Sequence, residues 1–189
     1  MNTNRNIKQK KCKYCETLFY PIKTTATVCT WECAQLLAKE KSEKKKAKEW
    51  NVRKKELKEG LMSLQDWIKI AQTHVNTYIN LRDKDKPCIS CFKPIRGRIN
   101  ASHYFNANNH WNVRFNEDNI HSSCITCNQY LSGNLINYRI GLIERIGLDR
   151  LEHLESIANE TRKFTIPEVK EIIEVYKEKI KTLKDENNK

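Results

Sequence analysis

The sequence predicts an α+β fold, a small zinc-braced β-hairpin-and-helix module surrounded by helices, on three observations. The eight cysteines fall into four close pairs, Cys12/Cys15, Cys29/Cys33, Cys88/Cys91 and Cys124/Cys127, with none left over. Four such pairs are the arithmetic of two four-cysteine zinc sites, each joining segments far apart in the chain. Apolar residues recur at helical spacing over 64–82 and through most of 135–183, whereas loose two-residue alternation is confined to about 99–115. The expected organisation is an N-terminal zinc knuckle (1–37), a lysine-rich helical linker or arm (38–60), and a hairpin module with flanking and C-terminal helices (61–189).

Composition narrows the function classes. A chain of 189 residues with 39% hydrophobic content builds only a modest core, so bound metal has to help hold it. Disulfides are the rival use of paired thiols. The N-terminus has no apolar stretch resembling a secretion signal and no long apolar run occurs anywhere, so we expect a reducing cytoplasm, no membrane association, and metal-bound cysteines. The net charge of +12 points to a polyanionic partner, most simply nucleic acid. Residues 1–60 hold sixteen Lys or Arg against seven Glu, and the remaining 129 hold nineteen against sixteen acids, so the electrostatic grip is concentrated ahead of the hairpin module.

In chain order, the first ten or so residues are polar and aperiodic and read as disordered. Cys12-x-x-Cys15 and Cys29-x-x-x-Cys33, thirteen residues apart with Leu18-Phe19-Tyr20-Pro21 between, read as a zinc knuckle with aromatic packing around the metal. Residues 34–59 favour helix but are sparse in strong apolar residues after Leu37. Lys44, Lys45, Lys46, Lys48, Arg53, Lys54 and Lys55 make this stretch either a solvated linker or a DNA-tracking arm. Gly60 ends it. Ser63-Leu-Gln-Asp66 is a capping box that opens a core-facing helix running to about Arg82. Residues 99–105 read as one strand, and Val113-Arg-Phe115 as a second after a turn-rich segment. Asn134 reads as a helix cap. Helices follow through Ile146, around Leu151 to Ile157, and from the Thr165-Ile-Pro-Glu168 start onward.

The chemistry sits inside the second cysteine quartet. Hydrolysing a phosphodiester needs an activated water in line with the leaving oxygen and a cation that neutralises the charge gathering on the phosphate. A strand histidine, His103, offers a base near neutral pH. Asn119 in the connection and Asn128 beside the last thiolate follow at suitable spacing to orient it and to hold a cation. His121 is a further candidate member of the site, either structural or catalytic. Arg96, Arg98 and Arg114 flank the hairpin as candidate phosphate contacts, and His110 reads as a surface residue.

These features resemble the His-Asn-His (HNH), or ββα-metal, nuclease superfamily in its zinc-supported form. Ala101-Ser-His-Tyr104, Arg114-Phe-Asn-Glu-Asp-Asn-Ile-His121, Cys124-x-x-Cys-Asn128, Leu131-Ser-Gly-Asn134 and Tyr138-Arg139 are similar to the phage NinG (Rap) recombination-protein family, a likeness that runs through nearly the whole chain. The resemblance implies a bacteriophage protein acting in the host cytoplasm, a metal-dependent endonuclease for branched DNA such as Holliday junctions and D-loops, using Mg²⁺ or Mn²⁺ besides two structural zinc ions. It assigns His103 as general base, Asn119 as the orienting residue and Asn128 as a metal ligand. Ser102 departs from the wider superfamily, which often has Asp or His there as first metal ligand. Symmetric cutting of a junction favours a homodimer. The alternative function is a non-catalytic zinc-containing DNA-binding or annealing protein of phage recombination, which has no need of His103, Asn119 and Asn128.

Overall fold

In the computed structural model, which describes residues 8–187, the chain divides into two compact units, Met1–Leu61 and Met62–Lys189. The division falls at the end of the lysine-rich helix.

In the first unit, strands β1 (Lys10–Lys11) and β2 (Leu18–Phe19) form a two-residue antiparallel ladder that carries Cys12 and Cys15 around its turn. Glu16 closes that turn with a positive φ of 64°. The expectation of disorder over the first ten residues thus fails at Lys10, and its remainder up to residue 7 lies outside the described residues. Helix α1 (Trp31–Gly60) begins three residues earlier than the sequence pattern suggests, because Thr30 caps it by accepting from Cys33 N. Cys33 therefore sits in its first turn, and the expected boundary at residue 37 falls inside one continuous helix. No residue of α1 is buried. Of the expected aromatic packing around the metal, Phe19 is half-buried and the adjacent Pro21 buried, whereas Tyr14, Tyr20 and Trp31 are exposed.

The second unit is a helical frame around one hairpin. Helix α2 (Leu64–Arg82) starts at the capping box, with Ser63 and Asp66 bonded reciprocally. It buries Trp67, Ile68, Ala71, Val75 and Ile79, one stripe at helical spacing, against Val169, Ile173 and Tyr176 of α5 (Ile166–Asn187). Thr165 and Glu168 form the matching box at the start of α5. Strands β3 (Asn100–His103) and β4 (Ile120–Ser123) pair antiparallel, with Ser102 opposite His121 and His103 opposite Ile120. The second strand is thus Ile120–Ser123, and the expected strand at Val113–Phe115 is a correction. Trp111–Val113 is a 3₁₀ turn that drives Val113 and Phe115 into the core from the loop.

Beyond β4, a π-helical turn (Thr126–Tyr130) carries Cys127 of the second knuckle, followed by α3 (Leu135–Ile146), whose limits match the sequence pattern, and α4 (Leu148–Ile157), which begins three residues before the expected Leu151. Tyr138 of α3 is fully buried and ties the hairpin together, its hydroxyl donating to Ser102 O (2.7 Å) and accepting from His121 N (3.1 Å). Gly141 lets α3 lie directly on the knuckle, where an added Cβ would meet Ile89 O at 2.0 Å. The result is a mixed α+β protein, mostly helical with two small sheets.

Candidate functional site

Each cysteine quartet gathers its four sulfurs within 4.8 Å of one another. Sulfurs on a tetrahedral zinc at ~2.3 Å stand about 3.8 Å apart. Cys91 and Cys124 are separated by 3.9 Å, Cys15 and Cys29 by 3.4 Å, and Cys29 and Cys33 by 3.5 Å. All eight are free thiols. Backbone amides aim at the sulfurs, Cys29 N at Cys12 (3.4 Å), Cys124 N at Cys88 (3.3 Å) and Cys127 N at Cys124 (3.4 Å), as suits thiolates. Burial acts to raise the Cys12 and Cys88 thiols, but these amides prevail and lower them to about 6 and about 7. Their neighbours are crowded the other way. Contacts with Cys15 and Cys33 push Cys29 up to about 12, and burial with Cys124 does the same to Cys127. Four sulfurs this close can all ionise only around a cation, so the donor sets fit zinc. Zinc would join the β1–β2 turn to the start of α1 in one unit, and the Cys88 loop to the end of β4 in the other.

His103 closes β3. Its Nε2 lies 3.1 Å from Arg114 O, while the more distant Gln72 Nε2, at 3.4 Å, donates to Asn76 Oδ1 at 2.9 Å. A carbonyl can only accept, so Nε2 carries the proton and Nδ1 keeps the free lone pair of a base. Burial lowers the His103 pKa to about 4, so the ring is neutral over the physiological range. Asn119 does not touch this ring. Fully buried at the end of the β3–β4 connection, it accepts from Phe105 N (2.7 Å) and donates to Phe105 O and Val113 O (3.0 Å each), while its backbone oxygen accepts from Tyr104 N (2.9 Å). It pins the loop between Phe105 and Val113, next to the Arg114 O that meets His103.

His103 and Asn128 line one open cleft of about 710 Å³. The Asn128 carboxamide makes no hydrogen bond to the described residues. Ser132, Gly133 and Asn134, three consecutive residues with positive φ, bend the chain around the cleft floor. Asn134 holds the cap position of α3, though its amide turns to Cys127 Sγ (3.9 Å) instead of capping a backbone N–H. No carboxylate lines this cleft. His110 does, anchored through Nδ1 to Ala158 O at 3.1 Å; sequence reasoning placed it on the surface because only the loop pinned by Asn119 folds it inward.

His121 is elsewhere. Side chains alternate faces along a strand, and His121 pairs with Ser102, the residue before His103, so it points away from the cleft. Its surroundings are Arg82 and the fully buried Asp83. Burial would raise the Asp83 pKa, but nearby His121 and the bonds from Arg82 and Lys86 hold it well below the usual carboxylate range. Arg114 is also committed internally: its guanidinium lies over Trp111 and Phe115 and donates to Ala107 O. Arg96 and Arg98 are exposed. On α1, Lys44, Lys45 and Lys55 pair with Glu40, Glu49 and Glu59, whereas Lys46, Lys48, Arg53 and Lys54 have no carboxylate partner among the described residues.

No helix among the described residues is long and apolar enough to cross a membrane. No solved structure matches the chain. A family model described as Bacteriophage Lambda NinG protein matches residues 4–186. Similar curated proteins include protein ninG of Escherichia phage 933W, 36% identical over 191 residues, and protein ninG of Escherichia phage lambda, 36% identical over 193 residues, in both cases across 94% of each chain. Protein ninG of Salmonella phage P22 is 36% identical across 94% of this chain and 95% of its own. With the match running nearly end to end, the chain belongs to the bacteriophage lambda NinG protein family.

Proposed function

We propose that this protein is a metal-dependent endonuclease of HNH type that cuts branched recombination intermediates, Holliday junctions and D-loops, in the cytoplasm of a bacterial host. The observation that carries the reading is His103: a neutral imidazole whose Nε2 is fixed on Arg114 O, in an open cleft shared with Asn128. Such a ring has Nδ1 available to take a proton from an attacking water. Asn119 holds the loop that sets the ring's orientation. Asn128 is the residue that would hold Mg²⁺ or Mn²⁺, and with no carboxylate in the cleft the other ligands would come from DNA phosphate and water. The bound cation would supply neutralisation of charge on the phosphate. The unpaired cations of α1, together with Arg96 and Arg98, would hold the DNA backbone, and two copies would serve the two strands of a junction.

The test is incubation of purified, zinc-loaded protein with four-way junction, Y-shaped and linear DNA, with Mg²⁺, Mn²⁺ or chelator, read on a denaturing gel. Cleavage of branched substrates is expected, lost on chelation. His103→Ala should reduce it by a factor of about 10² to 10⁴ with junction binding unchanged. Undiminished cleavage by His103→Ala would sink the mechanism. Binding or annealing without any cleavage would replace it with the non-catalytic alternative.

A further inference from the structure

The hairpin face opposite His103 carries a second cleft, of about 440 Å³, lined by His121, Arg82, Lys86, Arg145 and Arg150 together with Glu117 and Asp118. We infer that this cleft is a binding site for a single phosphate group, with His121 Nε2 as its central donor.

The argument starts from a tautomer. Arg82 Nη2 lies 3.1 Å from His121 Nδ1. A guanidinium has only protons to offer, so Nδ1 accepts and the ring proton must reside on Nε2. Burial lowers the His121 pKa despite the pull of Asp83, which keeps the ring in this neutral form. Nε2 is then an N–H donor, in a side chain 4% exposed, with no hydrogen-bond partner. Folded proteins seldom leave such a donor unpaired unless a ligand or an ordered water completes it.

The charge around it sets the ligand class. Arg82, Lys86 and Arg145 converge on the buried Asp83, which also accepts from Ser122 N at 3.1 Å. Arg82 also donates to Glu117 O and Ile120 O, and Arg145 to Pro87 O, so the cations free to meet a ligand are Lys86 and Arg150, which remain about half exposed at the rim. Arg150 reaches Asp118, and Lys179 reaches Glu117 from α5, so five cationic side chains face three carboxylates. A surplus of cations around an orphan N–H suits a compact oxyanion. Two sources offer that chemistry, a DNA backbone phosphate and free phosphate. The inference stands independently of the nuclease reading, because His121 points away from His103.

The test uses full-length, zinc-loaded protein with ¹⁵N-labelled histidine. The His121 ring signals, identified by their loss in His121→Phe, are followed during titration with inorganic phosphate against chloride at equal ionic strength, and separately with four-way junction DNA. Saturable movement of the Nε2–H signal with phosphate but not chloride is expected, weakened at least threefold in Arg150→Gln, an exposed change that spares the buried network. If the phosphate belongs to DNA, Arg150→Gln also lowers junction affinity about three- to tenfold and reduces the salt slope by about 0.9. If it is free phosphate, the signal moves while junction affinity holds. His121 signals that respond alike to phosphate and chloride, with junction affinity and salt slope unchanged in both variants, overturn the site.

Discussion

Asn119 gives the sharpest test of how the hairpin holds its base. Asn119→Ala removes one acceptor and two donor contacts, stranding Phe105 N and Phe105 O, while Val113 O keeps the Asn116 N–H at 3.1 Å. A buried group left without its partner costs about 1–3 kcal/mol. The two stranded groups are not additive, since Phe105 N and O relax together and water can reach the loop from the neighbouring cleft, so about 2–4 kcal/mol is expected. The measurement is the urea midpoint of zinc-loaded protein, with amide exchange at Phe105 reporting the loop itself. On the proposed mechanism, cleavage should also fall on the order of 10²-fold, because a ring displaced by about 1 Å loses its alignment. Asn119→Asp discriminates further. One oxygen can still accept from Phe105 N, but the other faces two carbonyls, so the folded state favours the protonated acid and raises its pKa. Stability relative to the parent is then present below the unfolded value of about 3.9 and lost as pH rises through the higher folded value. An unchanged midpoint and exchange rate in Asn119→Ala would refute the pinning argument.

Two further outcomes follow from the site. Metal analysis should find about two zinc ions per chain; Cys124→Ser should lose one and unfold the hairpin unit, whereas Cys12→Ser should lose the other while thermal unfolding of residues 62–189 persists. Zero zinc in protein purified under reducing conditions would overturn both sites. The pH profile of kcat/KM should show its acid limb at about 4, where His103 takes up a proton, and stay level through neutrality. A limb at the ordinary histidine value of about 6.5 would show that burial does not govern this ring.

Much of this was legible because it is local. Ser63 and Thr165 announce their helices through residues three positions away, and the pairing of eight cysteines requires no knowledge of topology. The strands were harder. Val113-Arg-Phe115 alternates as a half-buried strand should, yet both apolar side chains reach the core from a 3₁₀ turn and the second residue after it. The real partner, Ile-His-Ser-Ser, holds one strong apolar residue, and its backbone is secured from outside the hairpin, Asp83 taking Ser122 N and Tyr138 taking His121 N, while Ser122 Oγ and Ser123 Oγ are buried without partners. Those partners are distant in sequence, so no window on the strand contains the signal.

The same nonlocality decides which histidine belongs to which cleft. His103 and His121 lie on paired strands of one hairpin, and sequence spacing alone makes them neighbours. Their side depends on ladder parity: His103 opposite Ile120 places His121 opposite Ser102, and a one-residue slip would have brought both imidazoles to one face. Tyr138 fixes that parity, since its hydroxyl can bridge Ser102 O and His121 N only when those two residues are partners. Asp83 reinforces it by holding Ser122 N from the end of α2. Asp83 itself sits in Arg-Asp-Lys-Asp-Lys, which reads as a solvated helix end, yet its carboxylate is wholly buried while the neighbouring Asp85 side chain remains 86% exposed. What distinguishes the two is a set of donors gathered from β4, α2 and α3, so the separation of His103 and His121 into different clefts is a property of the register and not of either histidine alone.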